Sequence, residues 1–315
     1  MQKQDVLDCH KRILPYIHCT PVLTSRLIDK EIGASVYFKC ENFQRAGAYK
    51  IRGATNAILQ LSEEQRKNGV VTHSSGNFAQ AVSLAAKNLG IKAHIVMPSN
   101  APEVKKIGVK QYEGLIYECA PTLEARQAMA NKIGKDTGAS FLHPSNDTNV
   151  IIGQGTAAVE LLQEIPDINA IFCPVGGGGL IAGSAVAAHY FGTNCKVLGG
   201  EPFEADDAYR SLQSGKIEGN NSVNTIADGL KTTLGDKNFP IIKKHVHKIV
   251  RVTEEEIVAA MRLVWERMKI IIEPSSAVTV AALKRDAAEN LQQYSRKKIG
   301  IIISGGNVDL NNLPF

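Results

Sequence analysis

Short apolar runs rich in β-branched residues alternate with longer segments of helical spacing over most of the chain. Several runs are apolar at nearly every position, which is typical of strands buried on both faces of a parallel sheet. The segments between them would cover those faces as helices, so the pattern predicts an α/β fold. The predicted strands are Ser35–Cys40, Val70–Ser74, His94–Met97, Leu115–Glu118, Ser140–His143, Ile171–Val175, Lys196–Gly199, Lys248–Val252 and Lys298–Ile303.

The chain has 315 residues, a length that favours two lobes over a single sheet. We predict a small lobe at 69–146, inserted into a large lobe made of 1–68 and 147–315. A ligand is expected in the crevice between the lobes, at the carboxyl ends of the strands. The predicted helices are Phe78–Leu89, Leu123–Lys135, Gly155–Glu164, Leu180–His189 and Glu254–Met268.

Composition narrows the classes of partner. The net charge is only +5, and the basic clusters are short and lack interleaved aromatic residues, so nucleic acid is not expected as a partner. No apolar run is long enough to span a membrane, and residues Met1–Asp5 lead into a helix-like segment without an apolar signal region. Six scattered cysteines without a CxxC pair favour free buried thiols in a reducing compartment, and we expect the cytoplasm.

A run of four glycines, Gly176, Gly177, Gly178 and Gly179, follows a predicted buried strand and precedes a predicted helix. Glycines let the backbone approach an anion closely, and a helix start offers free N–H groups and a positive dipole end. A flexible linker rarely lies so tightly between two elements. The run therefore predicts a phosphate-binding loop.

The identity of that phosphate stays open on the glycines alone. The spacing Gly177-x-Gly179-x-x-Ala182, with Glu201 after the next strand, satisfies the loose dinucleotide pattern. A nicotinamide-dependent oxidoreductase is therefore a competing interpretation. A nonenzymatic sensor of amino acids or nucleotides, which would tolerate loss of the lysine discussed next, is another.

Two further segments carry chemistry. The turn Ser74-Ser75-Gly76-Asn77 lies between a predicted strand and helix; it would provide helix caps, but so many donors also suit a carboxylate. Lys50 lies at a loop-to-helix junction among apolar and small residues. Most lysines are solvated, yet in an apolar cleft a lysine loses proton affinity and can form a Schiff base with an aldehyde. Two anion sites and such a lysine match pyridoxal 5′-phosphate (PLP) and an amino-acid substrate.

The order of these segments resembles that of the serine/threonine dehydratase group of fold-type II PLP enzymes, whose fold is tryptophan-synthase-like, and within the group the serine racemases most. The resemblance covers nearly the whole chain. Its motifs are Tyr49-Lys50-Ile51-Arg52-Gly53-Ala54, His73-Ser74-Ser75-Gly76-Asn77, Gly153-Gln154-Gly155-Thr156, the tetraglycine loop and Ser304-Gly305-Gly306-Asn307.

The resemblance implies a role for each position. Lys50 would carry PLP as a Schiff base and act as the base on one face of the substrate, with Ser75 as the acid/base group on the other. The carboxylate of the substrate would be held by the turn of Ser74, Ser75 and Asn77. The cofactor's phosphate, ring 3′-oxygen and ring nitrogen would be bound by Gly176–Gly179 with Leu180, by Asn77 and by Ser304, respectively.

The resemblance also implies a divalent cation, Mg²⁺, Ca²⁺ or Mn²⁺, bound by Glu201, the carbonyl of Ala205, and Asp207. Without the resemblance, the acidic residues after this strand would be interpreted as a helix cap. The implied activity is interconversion of L- and D-serine with dehydration of L-serine or L-threonine. Dehydration of threonine or 3-hydroxyaspartate without racemisation stays open. A homodimer is implied, and ATP stays open as an effector.

Three positions qualify the resemblance. Phe78 stands where the family usually has histidine, and Tyr49 replaces the common phenylalanine before the lysine. The carboxylate contact at the first position is largely through backbone N–H groups, so the site can survive the change, whereas the tyrosine hydroxyl is expected to alter substrate preference. Arg126 matches an arginine near the substrate of the racemases, but it fits a helix surface equally well.

Overall fold

The structure, a computed structural model, describes residues 1–220 and 223–315. Its strands are β1 (Val22–Leu23), β2 (Ser35–Cys40), β3 (Val70–His73), β4 (Ala93–Pro98), β5 (Leu115–Cys119), β6 (Ser140–Phe141), β7 (Ala170–Pro174), β8 (Lys196–Pro202), β9 (Val246–Val252) and β10 (Lys298–Ile303). Its helices are α1 (Lys3–Ile13), α2 (Arg26–Ile32), α3 (Lys50–Leu59), α4 (Glu63–Asn68), α5 (Asn77–Asn88), α6 (Glu103–Gln111), α7 (Leu123–Thr137), α8 (Thr148–Glu164), α9 (Gly179–Phe191), α10 (Asp207–Ser214), α11 (Phe239–His245), α12 (Glu254–Met268), α13 (Pro274–Glu289) and α14 (Leu291–Tyr294).

The strands form two sheets. One has six strands in the order β1-β2-β10-β7-β8-β9, and the other has four in the order β5-β4-β3-β6. All pairings are parallel except that of β1 with β2. The α/β class and its helix-covered parallel sheets are thus confirmed. The smaller sheet uses strands from the middle of the chain and the larger one uses both flanks, whereas lobe boundaries at 69 and 146 stay a prediction.

Every predicted strand is present, most with ends moved by one to three residues. The short antiparallel strand β1 was not predicted, because two residues leave no periodic pattern. The helix predicted from Gly155 begins earlier, at Thr148, where the side chain of Asp147 accepts the backbone N–H groups of Asn149 and Val150. Two glycines in its first turns had obscured that start.

Helices α8 and α9 pack unusually closely against each other. A Cβ atom on Gly155 would lie 2.4 Å from the carbonyl oxygen of Gly183, and one on Gly183 would lie 2.2 Å from that of Ile151. Only glycine permits this approach of two backbones. The glycines of the Gly153–Thr156 motif therefore serve helix packing. The same packing holds the start of α9, and with it the glycine loop.

All six cysteines are free, as predicted, but not all are buried: Cys9, Cys40 and Cys173 are, whereas Cys19 is exposed. Among the described helices, none combines the length and the apolar character that crossing a lipid bilayer would need.

Candidate active site

Lys50 begins helix α3 and points its amine at the segment that follows β6. The Nζ atom donates a hydrogen bond of 3.0 Å to the carbonyl oxygen of Pro144. Burial lowers the pKa of the amine to about 8, although the charge of Glu273 acts in the opposite direction. Such an amine is neutral in a much larger fraction of molecules near neutral pH than a surface lysine, which makes it a better nucleophile.

Two aromatic rings flank the Lys50 amine. Its Nζ lies 5.1 Å from the ring centre of Tyr49 and 5.7 Å from that of Phe78. Both are the positions at which the sequence departs from the family pattern. Phe78 follows Asn77 at the start of α5, so its contact brings the Ser74–Asn77 turn to the lysine. The two departures therefore form walls around the amine.

A histidine shapes the segment that accepts the Lys50 hydrogen bond. The Nδ1 atom of His143 accepts the backbone N–H groups of Ser145 and Asn146, at 3.2 and 2.8 Å. Burial, with His73 and Lys50 nearby, lowers the pKa of His143 to about 4. The ring is therefore neutral at physiological pH, and its proton lies on Nε2. It fixes the turn that carries the Pro144 carbonyl.

The tetraglycine loop joins β7 to α9, as predicted. A Cβ on Gly177 would lie 2.3 Å from the Oγ of Ser145, and one on Gly179 would lie 2.6 Å from the Oε1 of Gln154. Gly178 has a φ of +78°, a conformation that glycine adopts without strain. Leu180 lies in the first turn of α9 and is 2% exposed.

Two amides frame this loop. The buried Asn238 donates through Nδ2 to the carbonyl of Gly177 at 2.7 Å. The Nε2 of Gln154 donates to the Pro144 carbonyl at 3.3 Å, while its Oε1 is buried without a hydrogen-bond partner. The free N–H groups of a glycine loop at the start of a 13-residue helix fit an anion such as a phosphate, whereas the unpaired Gln154 oxygen is an acceptor and fits a donor.

The Ser304 segment reaches the same place through the sheet. Strand β10 pairs with β2, and Ala48 forms an isolated antiparallel bridge with Gly305. The backbone N–H of Tyr49 donates to the Ser304 carbonyl at 3.0 Å. The Ser304 hydroxyl is 2.9 Å from that of Ser276, which donates to the carbonyl of Gly305. A residue with a neutral hydroxyl is thus bonded through its backbone to the residue that precedes Lys50.

The turn of Ser74, Ser75 and Asn77 is partly exposed at the end of β3. The Ser74 backbone N–H donates to the carbonyl of Val96, and its Oγ lies 3.4 Å from the N–H of Gly76. The Asn77 side chain contacts Asn307, which lies beyond β10, and Glu273, which directly precedes α13. The structure therefore brings Lys50, Asn77, Ser304 and the glycine loop together, and Ser74 and Ser75 lie on the same turn as Asn77.

The predicted metal ligands lie apart from these residues, where β8 leads into α10. The Glu201 carboxylate accepts the N–H groups of Ala208 and Tyr209 at 3.0 and 2.8 Å, so it does cap the helix. Asp207 accepts from the Asn220 side chain at 2.7 Å and from the N–H of Leu234 at 3.1 Å. All three predicted ligands, Glu201, Ala205 and Asp207, are fully buried.

Burial disfavours the charged forms of the Glu201 and Asp207 carboxyls. It raises the pKa of Asp207 to about 6, and burial together with the Asp207 charge raises that of Glu201 well above its usual range. A divalent cation would relieve both effects, so the donor set fits one. Within 1–220 and 223–315, no three His, Cys, Asp or Glu side chains gather as a metal site. The predicted set contains two carboxylates and a carbonyl.

Ion pairs and cation–π contacts stabilise the loop between Glu201 and Asp207. Asp206 forms ion pairs with Arg210 at 2.7 Å and with Arg251 at 2.9 Å. The guanidinium of Arg251 lies 4.7 Å from the ring centre of Phe203 and 4.0 Å from that of Tyr209. These contacts hold both ends of the loop.

Arg126, which matches an arginine near the substrate of the racemases, lies partly exposed on α7. Its charge adds to burial in lowering the pKa of His73.

Sequence reasoning missed several residues of the site. Glu273 contacts Asn77, and His143 fixes the turn that faces Lys50. Asn307 and Gln154 were noted only as parts of motifs, without a role. Glu273 precedes a proline at a helix start, a position where an acid is ordinarily a cap. Its burial with polar partners from distant segments is visible only in the folded chain.

Comparison with known proteins agrees with this geometry. The profile of a family described as pyridoxal-phosphate dependent enzyme matches residues 13–305. The serine racemase of Dictyostelium discoideum is 48% identical, over 98% of this chain and 96% of the relative. The beta-hydroxyaspartate dehydratase of Paracoccus denitrificans is 43% identical, over 99% and 98%. The solved structure of maize serine racemase superposes with a TM-score of 0.96 at 46% identity, over 98% and 94%.

The family match covers Lys50, the Ser74–Asn77 turn and the tetraglycine loop, and the glycine loop is therefore not that of a nicotinamide-dependent oxidoreductase. This chain belongs to the family of pyridoxal-phosphate dependent enzymes.

Proposed function

We propose that this enzyme interconverts L- and D-serine and also eliminates water from L-serine and L-threonine. The observation that carries the proposal is the amine of Lys50, with its lowered pKa, between the glycine loop and the Ser74–Asn77 turn. Relatives named serine racemase, at 44–48% identity over nearly the whole chain, support this choice of reaction.

The chain offers a holder for each part of the cofactor. The glycine loop with Leu180 would bind the phosphate, Asn77 the ring 3′-oxygen and Ser304 the ring nitrogen, while Lys50 holds the aldehyde carbon. When bound, PLP withdraws electrons from the substrate's Cα and makes its proton acidic. Because the hydroxyl of Ser304 is neutral and contacts another hydroxyl, Ser276, it would leave the ring nitrogen largely unprotonated.

Residues of the chain then bind the substrate and transfer its Cα proton. The N–H and hydroxyl donors of the Ser74–Asn77 turn hold the carboxylate and orient the Cα–H bond. Lys50 removes the proton on one face, and Ser75 returns one on the other, which inverts the centre. A positioned acid or base of this kind contributes roughly 10²–10⁴-fold. If the β-hydroxyl leaves first, the products are a 2-oxo acid and ammonia.

A divalent cation held by Glu201, Ala205 and Asp207 would stabilise the β8–α10 connection. A homodimer and an effect of ATP remain predictions from the family resemblance, and a cytoplasmic location remains a prediction from the cysteine pattern. A second candidate is a dehydratase of 3-hydroxyaspartate or threonine without racemisation, because a relative named beta-hydroxyaspartate dehydratase is 43% identical over almost the whole chain. Parallel assays of D-serine and of 2-oxo acids from each substrate separate the two.

The deciding experiment is reductive trapping. After borohydride treatment of the purified holoenzyme and digestion, mass spectrometry should find the cofactor adduct on the peptide that contains Lys50. Lys39 is an internal control, since its fully buried amine is paired with Glu160 at 2.7 Å, and its peptide should carry no adduct. An unmodified Lys50 peptide in an active preparation would refute the proposal.

A further inference from the structure

A buried carboxyl that the mechanism does not use lies beside Asn77. Glu273 directly precedes α13 and is 4% exposed. Its backbone N–H donates to the carbonyl of Gly305 at 3.1 Å, which anchors it to the segment after Ser304. Both of its carboxylate oxygens lie near the Nδ2 of Asn77, at 3.0 and 3.1 Å.

The other end of the Asn77 amide is held as well. Asn307 donates through Nδ2 to the Oδ1 of Asn77 at 2.9 Å and to the carbonyl of Ala46 at 2.8 Å. An amide with an acceptor at its nitrogen and a donor at its oxygen has one favourable orientation. Turning it over would place Oδ1 against the Glu273 carboxylate and Nδ2 against a donor. The orientation of Asn77 is therefore fixed from both sides.

Glu273 is buried in surroundings that disfavour its ionised form. Burial raises the pKa of Glu273 to about 8, the charge of Asp228 adds to this, and the hydrogen bond from Asn77 opposes it. The carboxyl is also close enough to Lys50 to act against the lowering of the lysine pKa. Burying a carboxyl costs free energy unless hydrogen-bond partners compensate it, and the partner here is the Asn77 amide.

We propose that Glu273 is a positioning residue of this active site, whose carboxyl holds the Nδ2 group of Asn77 so that the amide faces the ring 3′-oxygen of bound PLP. The inference rests on the proposed function, because it takes the role of Asn77 from there. Glu273 does not touch the reacting atoms. It acts through Asn77, and its effect disappears when Asn77 cannot respond.

A double-mutant cycle tests this mode of action. Glu273→Gln, Asn77→Ala and the double variant are prepared as holoenzymes. Two readouts are measured, kcat/KM for pyruvate formation from L-serine and the ratio of the two absorption bands of bound PLP, which reports the protonation of its 3′-oxygen. At about pH 9, where the Glu273 carboxyl is ionised, Glu273→Gln replaces a hydrogen bond to a charged group by one to a neutral amide, and should lower kcat/KM up to about tenfold and shift the band ratio. In the Asn77→Ala background it should change neither readout.

Two further variants keep the test decisive. Asp286→Asn removes another buried carboxyl, which accepts from Lys248 and Tyr294 far from the site, and should lower stability without altering the band ratio. Glu273→Asp keeps the charge on a shorter side chain, and should shift the ratio in the same direction as Glu273→Gln, less strongly. It serves as the test if the glutamine variant does not fold.

The outcomes separate the two proposals. Fully additive effects of Glu273→Gln and Asn77→Ala, or a wild-type band ratio in the Glu273 variants, would overturn the role of Glu273 while PLP stays attached to Lys50. Absence of PLP from Lys50 in the wild-type protein would instead overturn the proposed function itself.

Discussion

At the scale of single residues, the environment decides which chemical form of a side chain prevails. The Lys50 amine is surrounded by the Tyr49 and Phe78 rings, and burial lowers its pKa to about 8. Burial, with His73 and Lys50 nearby, lowers the pKa of His143 to about 4. Neither effect is a property of the residue type, and both follow from neighbours supplied by other segments.

Ser75 is expected to separate the two proposed reactions. Changing Ser75 to alanine removes the acid/base group opposite Lys50 but leaves the lysine and the backbone N–H groups of the turn. D-Serine formation from L-serine should fall by roughly 10²-fold or more, whereas pyruvate formation should be largely retained. Both products are measured in one reaction mixture, and equal losses of the two activities would contradict the role given to Ser75.

Asp207 should make the metal-free protein less stable as the pH rises. Its folded-state pKa is about 6 and its ordinary value is 3.8, so the protonated form is favoured by folding and that contribution is lost between those values. Between pH 5 and 7.5, the unfolding free energy of wild type relative to Asp207→Asn should fall by roughly 1–2 kcal/mol.

Urea unfolding in the presence of a chelator checks this change. Mg²⁺ added at pH 7.5 should restore stability to the wild type and not to the Asp207→Asn variant. A chelator that changes neither stability nor activity would show that Glu201, Ala205 and Asp207 hold no metal.

At the scale of elements, glycine serves two different purposes that the sequence does not distinguish. Gly183 lies in α9 against α8, where a Cβ atom would be 2.2 Å from the carbonyl of Ile151. Gly134 lies in α7, where the nearest atom to a Cβ would be the Ala139 carbonyl at 3.4 Å. The first glycine is required by packing, and the second only weakens its helix.

Alanine at these two positions should therefore change stability in opposite directions. Gly183→Ala is expected to cost about 2–3 kcal/mol through overpacking between backbones. Gly134→Ala is expected to add up to about 1 kcal/mol through helix propensity. Urea unfolding of both variants measures the difference, and a loss of similar size at both sites would contradict the close-packing argument.

Element types were predictable because apolar periodicity is a local signal. Nine strands were placed correctly, yet the pairing of β10 between β2 and β7 was not part of the prediction. That pairing brings Gly305 beside Ala48, and it determines which residues meet Lys50. Element order along the chain does not specify sheet order, because parallel strands are joined by crossovers that can pass over neighbours.

At the scale of the whole molecule, a buried ionic network ties several elements together. Arg52 of α3 contacts Glu41, which follows β2, at 2.7 Å and Glu160 of α8 at 2.6 Å. Lys39 of β2 also contacts Glu160, at 2.7 Å. These four side chains are nearly or fully buried, so each charge depends on its partners. The network lies two residues from Lys50 and supports the helix that carries it.

Removing the central cation should destabilise the whole fold. Arg52→Met leaves two buried carboxylates, of which Glu160 keeps its contacts with Lys39 and His10, and is expected to cost about 3–5 kcal/mol. Lys87→Ala, which breaks an exposed pair with Glu113, should cost no more than about 1 kcal/mol. Urea unfolding followed by tryptophan fluorescence compares them, and similar costs would refute a structural role of the network.

The sequence by itself determined the α/β class, the succession of elements, the glycine loop, and Lys50 and the Ser74–Asn77 turn as candidates. These depend on local features: periodicity, turn residues and short motifs. Ser304 and the role of Ser75 came from the resemblance of those motifs to a family. Only the tertiary structure decided that Glu273 and Asn307 hold Asn77 and that His143 fixes the turn facing Lys50. Residues far apart in the chain become neighbours through sheet order and close helix packing, and a buried polar group acquires its role from those neighbours.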